Sequence, residues 1–123
     1  AHRGEGDVSL DNVNFMELKA KPFKEGVGIA NVFFSSSDPV ELYKILLEFA
    51  VNKGQVVLNE NYFKIKLKMI DENSVLTIES KISSVKEGLY AVEFKKQSGD
   101  YFLFSDVVKT AKEFFGGHVN ATY

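Results

Sequence analysis

The sequence predicts an α+β domain: an antiparallel sheet with two helices packed on one face, in the order β-α-β-β-β-β-α. Three observations carry this. Two adjacent segments alternate apolar and polar residues in step, so they pair as a hairpin. Two other segments, one before and one after the run of strands, repeat apolar residues at helical spacing. The polar side of the best alternating strand is all lysine, which gives that side to water and the opposite side to the helices.

Each element follows from its own residues. Ile29 to Phe34 is β-branched and aromatic and reads as the first strand, ended by Ser35-Ser36-Ser37. A helix over 38–53 comes next. Asp38 can cap it, Pro39 suits its first position, and Glu41 stands at the capping-box position. Leu42, Ile45, Leu46, Phe49 and Ala50 form its apolar stripe, and Gly54 is a natural stop. Gln55 to Leu58 is the second strand, and Asn59-Glu60-Asn61 a turn.

Tyr62 to Ile70 alternates, with Phe63, Ile65, Leu67 and Met69 on one side and Lys64, Lys66 and Lys68 on the other. Val75 to Ile82 answers it across the loop 71–74. Pairing Ile70 with Val75 sets Leu67 against Ile78, Lys68 against Thr77 and Lys66 against Glu79. Gly88 opens the fifth strand, with Tyr90, Val92 and Phe94 inward and Ala91, Glu93 and Lys95 outward. A Ser98-Gly99-Asp100 turn follows. Tyr101 to Phe104 is read as a short apolar strand extending the sheet. Ser105 then caps a last helix over 105–115, with Val107, Val108, Ala111, Phe114 and Phe115 as its stripe. The organisation expected is a lead-in over 1–28, one domain over 29–117 and a tail over 118–123.

Composition narrows the function. The 123 residues suit one domain, and 45% hydrophobic content with eleven Phe supplies a core. With no cysteine there is neither a disulfide framework nor a cysteine zinc site, and an intracellular setting is the default. No apolar run approaches the roughly 18 residues of a membrane span, and no signal peptide is visible. The net charge of −2 argues against bulk attraction to nucleic acid, so any polyanionic partner must meet a local patch.

Parts for catalysis are missing. His2 and His118 are the only histidines and fall in the tails. Nucleophilic triads therefore lack a base. Asp71-Glu72 sits on a hairpin tip, Gly26-Val27-Gly28 lacks the third glycine of a phosphate loop, and metal-ligand spacings are absent. The expectation is a non-catalytic domain with no metal and no cofactor. Tyr62, Tyr90 and Tyr101 could stack bases, but their phase with the apolar side assigns them to the core instead.

The lysines are what remains. Lys64, Lys66 and Lys68 project from one face. If Ser80 pairs with Val92, Lys95 falls in the row of Lys68 and Thr77, with Lys96 at the strand end. A cationic corner around Lys68, Lys95 and Lys96 results, diluted by Glu79 and Glu93 in the middle of the face. Such a face is either simply solvated or an anion-binding surface.

Several segments together carry a family resemblance. They are Ser37-Asp38-Pro39 at the first helix start, Tyr62 to Leu67, Gly88-Leu89-Tyr90-Ala91-Val92-Glu93-Phe94, and above all Phe94-Lys95-Lys96-Gln97-Ser98-Gly99-Asp100. From Phe33 to Phe115 the chain resembles the kinase-associated-1 domain. This is a C-terminal module of Ser/Thr protein kinases such as the microtubule-affinity-regulating and yeast bud-neck septin-associated kinases. Plant calcium-sensor-regulated kinases carry a related regulatory fold. The resemblance implies binding to anionic phospholipids such as phosphatidylserine, and restraint of the parent's own kinase domain. It implies a place at the cytoplasmic side of the plasma membrane, at the bud neck for a yeast protein. A monomer with no nucleic-acid partner is expected. Lys95 and Lys96 are the best carry-over to a lipid site. Lys19, Lys21 and Lys24 are loosely equivalent to basic residues before the family's first strand. With Lys64, Lys66 and Lys68 they complete the expected anionic-lipid-binding set. The family's strongly basic members differ from this chain in net charge.

Overall fold

A computed structural model describes residues 15–24, 30–59 and 61–120. Five strands form one sheet: β1 (Ala30–Ser35), β2 (Gln55–Leu58), β3 (Lys64–Asp71), β4 (Ser74–Lys86) and β5 (Leu89–Ser98). Their order is β1-β5-β4-β3-β2, with every neighbouring pair antiparallel. Helices α1 (Pro39–Val51) and α2 (Tyr101–Phe115) complete the expected β-α-β-β-β-β-α order. Because β1 and β2 are the two sheet edges, α1 must cross the whole sheet to join them. Both helices lie on one face and touch each other: α1 meets β2 and β4, and α2 meets β4 and β5.

Helix α1 starts where its cap dictates. Asp38 is extended, and its carboxylate accepts the Val40 N–H at 2.8 Å. Leu42, Leu46 and Phe49 are buried, together with Val108, Ala111 and Phe115 of α2, in a single core over the sheet. Phe114 departs from the expected stripe: it is 45% exposed at the rim and leans on Phe49 with ring centroids 5.6 Å apart. Gly54 is needed for close approach, since a Cβ there would strike the Lys68 carbonyl.

The start of α2 differs from the sequence expectation. Tyr101 to Phe104 is not a strand but the first turn of the helix, and the cap is Asp100, not Ser105. Asp100 accepts the Leu103 N–H at 2.8 Å. Gly99, at φ 111°, turns the chain away from the sheet immediately before it. The helical phase then extends back to Phe104, which is fully buried three and four residues before Val107 and Val108. A four-residue apolar run has no period of its own, so strand and helix turn look alike in it.

Two registers were at stake in the sheet. The β3–β4 register is as expected: Ile70 pairs with Val75, Leu67 with Ile78, Lys68 with Thr77 and Lys66 with Glu79. The β4–β5 register is not. Ser80 pairs with Phe94 rather than Val92, and β4 runs on to Lys86. The cause is the tight turn at Glu87-Gly88, with Gly88 at φ 77°, joined to irregularities near Val85 and Gln97.

The face away from the helices is not uniformly solvated. Ala91, Glu93 and Ser83 lie on it by register yet are 0%, 6% and 2% exposed. Glu93 was expected to point out into water. Residues 19–23 explain part of this cover. Lys19 pairs with Tyr62, and residues 21–23 pair with the β4 edge beyond the end of β3, where Ser84 N donates to the Lys21 carbonyl and Phe23 N to the Ser84 carbonyl. Phe23 then reaches Phe34 edge-to-face, with centroids 6.0 Å apart, across the row of small residues Ala91 and Ser83. On the helix side Phe15 packs edge-on against Tyr43 at 6.1 Å.

Candidate functional site

Strand alternation puts Lys64, Lys66 and Lys68 of β3, Lys81 of β4 and Lys95 of β5 on the face opposite the helices. Two rows result. One carries Lys64, Lys81 and Glu93. The next carries Lys66, Glu79 and Lys95, with Val57 of β2 at its end. Lys21 joins from the lead-in, with Nζ 4.2 Å from the centre of the Tyr62 ring. Among the described residues these six lysines face two glutamates, a surplus of four positive charges within a chain whose net charge is −2.

Ion pairs divide the six. Glu79 takes Lys64 at 3.4 Å and also accepts from Gln97 Nε2 at 3.0 Å. The almost buried Glu93 takes Lys81 at 3.5 Å. Lys66, Lys68 and Lys95, like Lys21, have no acidic partner among the described residues, so their charges are open to a ligand.

The expected corner of Lys68, Lys95 and Lys96 does not form as drawn. The shifted register puts Lys95 beside Glu79, one row from Lys68. Lys96 pairs with the core residue Ile78 and so belongs to the helix-bearing side of the sheet. Lys19, Lys21 and Lys24 are all exposed, and of these Lys21 lines the face. Lys81 is the cation that sequence reasoning left out. Its signal was present: it directly opposes Lys64 once the β3–β4 register is extended by two residues beyond Glu79.

Two shallow depressions flank Lys64. One, of about 200 Å³, lies between β2 and β3, with Lys66 and Glu79 in its lining. The other, of about 100 Å³, is framed by Lys21, Lys64, Lys81 and Tyr62. Tyr62 and Tyr101, expected in the core, are instead half-buried beneath Lys21 and 46% exposed at the start of α2.

A histidine constellation lies elsewhere. Ser37 Oγ and His118 Nδ1 are 2.8 Å apart, and Glu41 Oε1 is 3.5 Å from the same nitrogen. A charge-relay triad needs its nucleophile and carboxylate on opposite ring nitrogens. Here both share Nδ1, so the contacts tie the end of the chain to the start of α1 without activating Ser37. Asn120 adds to that tie, donating from its backbone to the Phe34 carbonyl at 2.8 Å. Among the described residues no group of His, Asp or Glu could hold a metal ion, and no helix is long and apolar enough to cross a membrane. No protein-family model matches the chain, and no curated protein matches it in sequence.

Proposed function

We propose that this chain is a non-catalytic membrane-targeting module of a Ser/Thr protein kinase. In this reading the lysine-bearing sheet face binds anionic phospholipids such as phosphatidylserine. One observation carries the lipid part: six lysines stand against two glutamates on the face that the helices leave free, in an otherwise slightly acidic chain. The kinase part rests on the resemblance to kinase-associated-1 domains in Phe94 to Asp100.

The energetics suit a recruiting module. A lysine near an anionic leaflet contributes about 1 kcal/mol, so the surplus of four gives about 4 kcal/mol. That corresponds to a dissociation constant of about 1 mM, which requires a second contact or a second copy to hold a large protein at a membrane. The module would act at the cytoplasmic side of the plasma membrane. Vesicle co-flotation tests the reading. Binding to phosphatidylserine vesicles that fades as salt rises, with none to phosphatidylcholine vesicles, is the expected result. No binding to phosphatidylserine vesicles at low salt would reject it.

A second reading, docking on the parent's own kinase domain, is favoured by a different surface. Phe102 is 76% exposed at the start of α2, beside Tyr101, which is itself 46% exposed. Under that reading Phe102→Ser would release kinase activity while leaving vesicle binding unchanged.

A further inference from the structure

The smaller depression has a lining unlike the rest of the face. Its charged members among the described residues are Lys21, Lys64 and Lys81, and no described carboxylate lines it. Lys64 and Lys81 directly oppose each other across β3 and β4, an arrangement of like charges that costs stability unless it is offset. Glu79 and Glu93 supply the offset from outside the lining. Lys21 arrives from a third segment and is steadied over Tyr62. Three lysine side chains from three parts of the chain therefore line one hollow, two of them paired with glutamates beside it. Its volume of about 100 Å³ falls well short of the roughly 300–1,000 Å³ of pockets for organic ligands, and suits a single small oxyanion. Ser83, a hydroxyl donor, also lines it.

We propose that this depression is a subsite for one phosphomonoester group, held by Lys21, Lys64 and Lys81. The proposal rests on the reading of this face as anion-binding and narrows it from diffuse attraction to one recognised group. A phosphomonoester carries about −1.5 to −2 charges at neutral pH and three acceptor oxygens, which three ammonium donors can match. A phosphodiester presents only two free oxygens to the same three lysines. Lys68 and Lys95 line neither depression and answer any anionic surface by charge alone.

The test uses the whole chain with Lys21→Gln and Lys64→Gln. Lys21 is exposed, and without Lys64 the Glu79 carboxylate keeps its hydrogen bond from Gln97. Lys81 is left in place because its loss would strand the nearly buried Glu93. Binding is compared on phosphatidylserine vesicles and on vesicles carrying a singly phosphorylated phosphoinositide, at equal surface charge and salt. Inorganic phosphate is titrated separately and followed by amide NMR shifts. The parent is expected to prefer the phosphomonoester vesicles about thirtyfold, from two further lysine contacts of the size seen at charged surfaces. Either variant should remove most of that preference while keeping most of the phosphatidylserine binding. Saturable phosphate shifts at Lys21, Lys64, Lys81 and Ser83, lost in the variants, would support the subsite with free phosphate as its source even without a vesicle preference. The proposal is overturned if the parent shows neither the preference nor saturable shifts, or if both variants retain whichever of these the parent shows. Failure of the broader reading looks different: no vesicle of any composition binds, and the phosphate titration then decides the subsite alone.

Discussion

Replacing Lys66, Lys68 and Lys95 together by alanine should nearly abolish attraction to anionic vesicles while leaving the domain folded. These three are the lysines carried by the sheet strands on the outer face that no carboxylate neutralises among the described residues. At about 1 kcal/mol each they account for about 3 kcal/mol, or roughly a hundredfold in partition coefficient. Lys95→Ala/Lys96→Ala should lose only about fivefold, because one of its two lysines belongs to the helix side. Stability should change by no more than about 0.5 kcal/mol per site, since none of the three holds an ion pair. Co-flotation with phosphatidylserine vesicles measures the partition, and urea denaturation of the same preparations checks the fold. A folded triple variant that floats like the parent would refute the assignment of the face. So would a Lys96→Ala effect as large as that of Lys95→Ala, because the two lie on opposite sides of β5.

Other substitutions probe the frame that holds this face. Phe49→Ala should cost about 3–5 kcal/mol, read from the urea midpoint, because Phe49 is 3% exposed between α1 and the sheet. Gly99→Ala should cost about 1–3 kcal/mol from backbone strain alone at φ 111°, and its Cβ would lie 2.6 Å from the Val75 carbonyl oxygen. Asp100→Ala should cost about 1 kcal/mol, whereas Ser105→Ala should be nearly silent, a contrast that circular dichroism on heating can separate. Burial holds the Tyr43 phenol above its ordinary pKa of 10.0. The unfolded chain then ionises first, so stability present below about pH 10 should fall as pH rises beyond it. Tyr43→Phe should flatten that fall in alkaline urea titrations.

The readable parts of the sequence were those with a period or a cap. Lys64 to Ile70 and Val75 to Ile82 alternate independently, so a slip of one residue would have put both apolar sets in water, and the register followed. Asp38-Pro39 marked the start of α1 for a reason local to three residues. What failed lacked such redundancy. Tyr101 to Phe104 is too short to display a period, and its helical state depends on Gly99 and Asp100 reversing the chain. The β4–β5 register depends on irregularities that carry no compositional mark. Lys81 looked like an isolated charge between Ser80 and Ile82, and only its position opposite Lys64 brings it to the cationic face. The pairing of residues 19–23 was illegible because Lys19 to Lys24 neither alternates nor avoids proline.

That pairing bears on where a fragment of this chain can begin. A fragment begun at residue 29, where the first strand was expected, would leave the backbone of β4 beyond Ile82 without its neighbour. It would also strip Phe23 from Phe34 and Phe15 from Tyr43. An unpaired strand edge beside uncovered aromatic rings is a template on which other chains can add, so such a fragment should self-associate and precipitate. A protease cut just after Phe23 would have milder consequences if the severed piece stays bound in its groove. Residues 15–24 thus cover a strand edge and aromatic rings, besides delivering Lys21 to the cationic face.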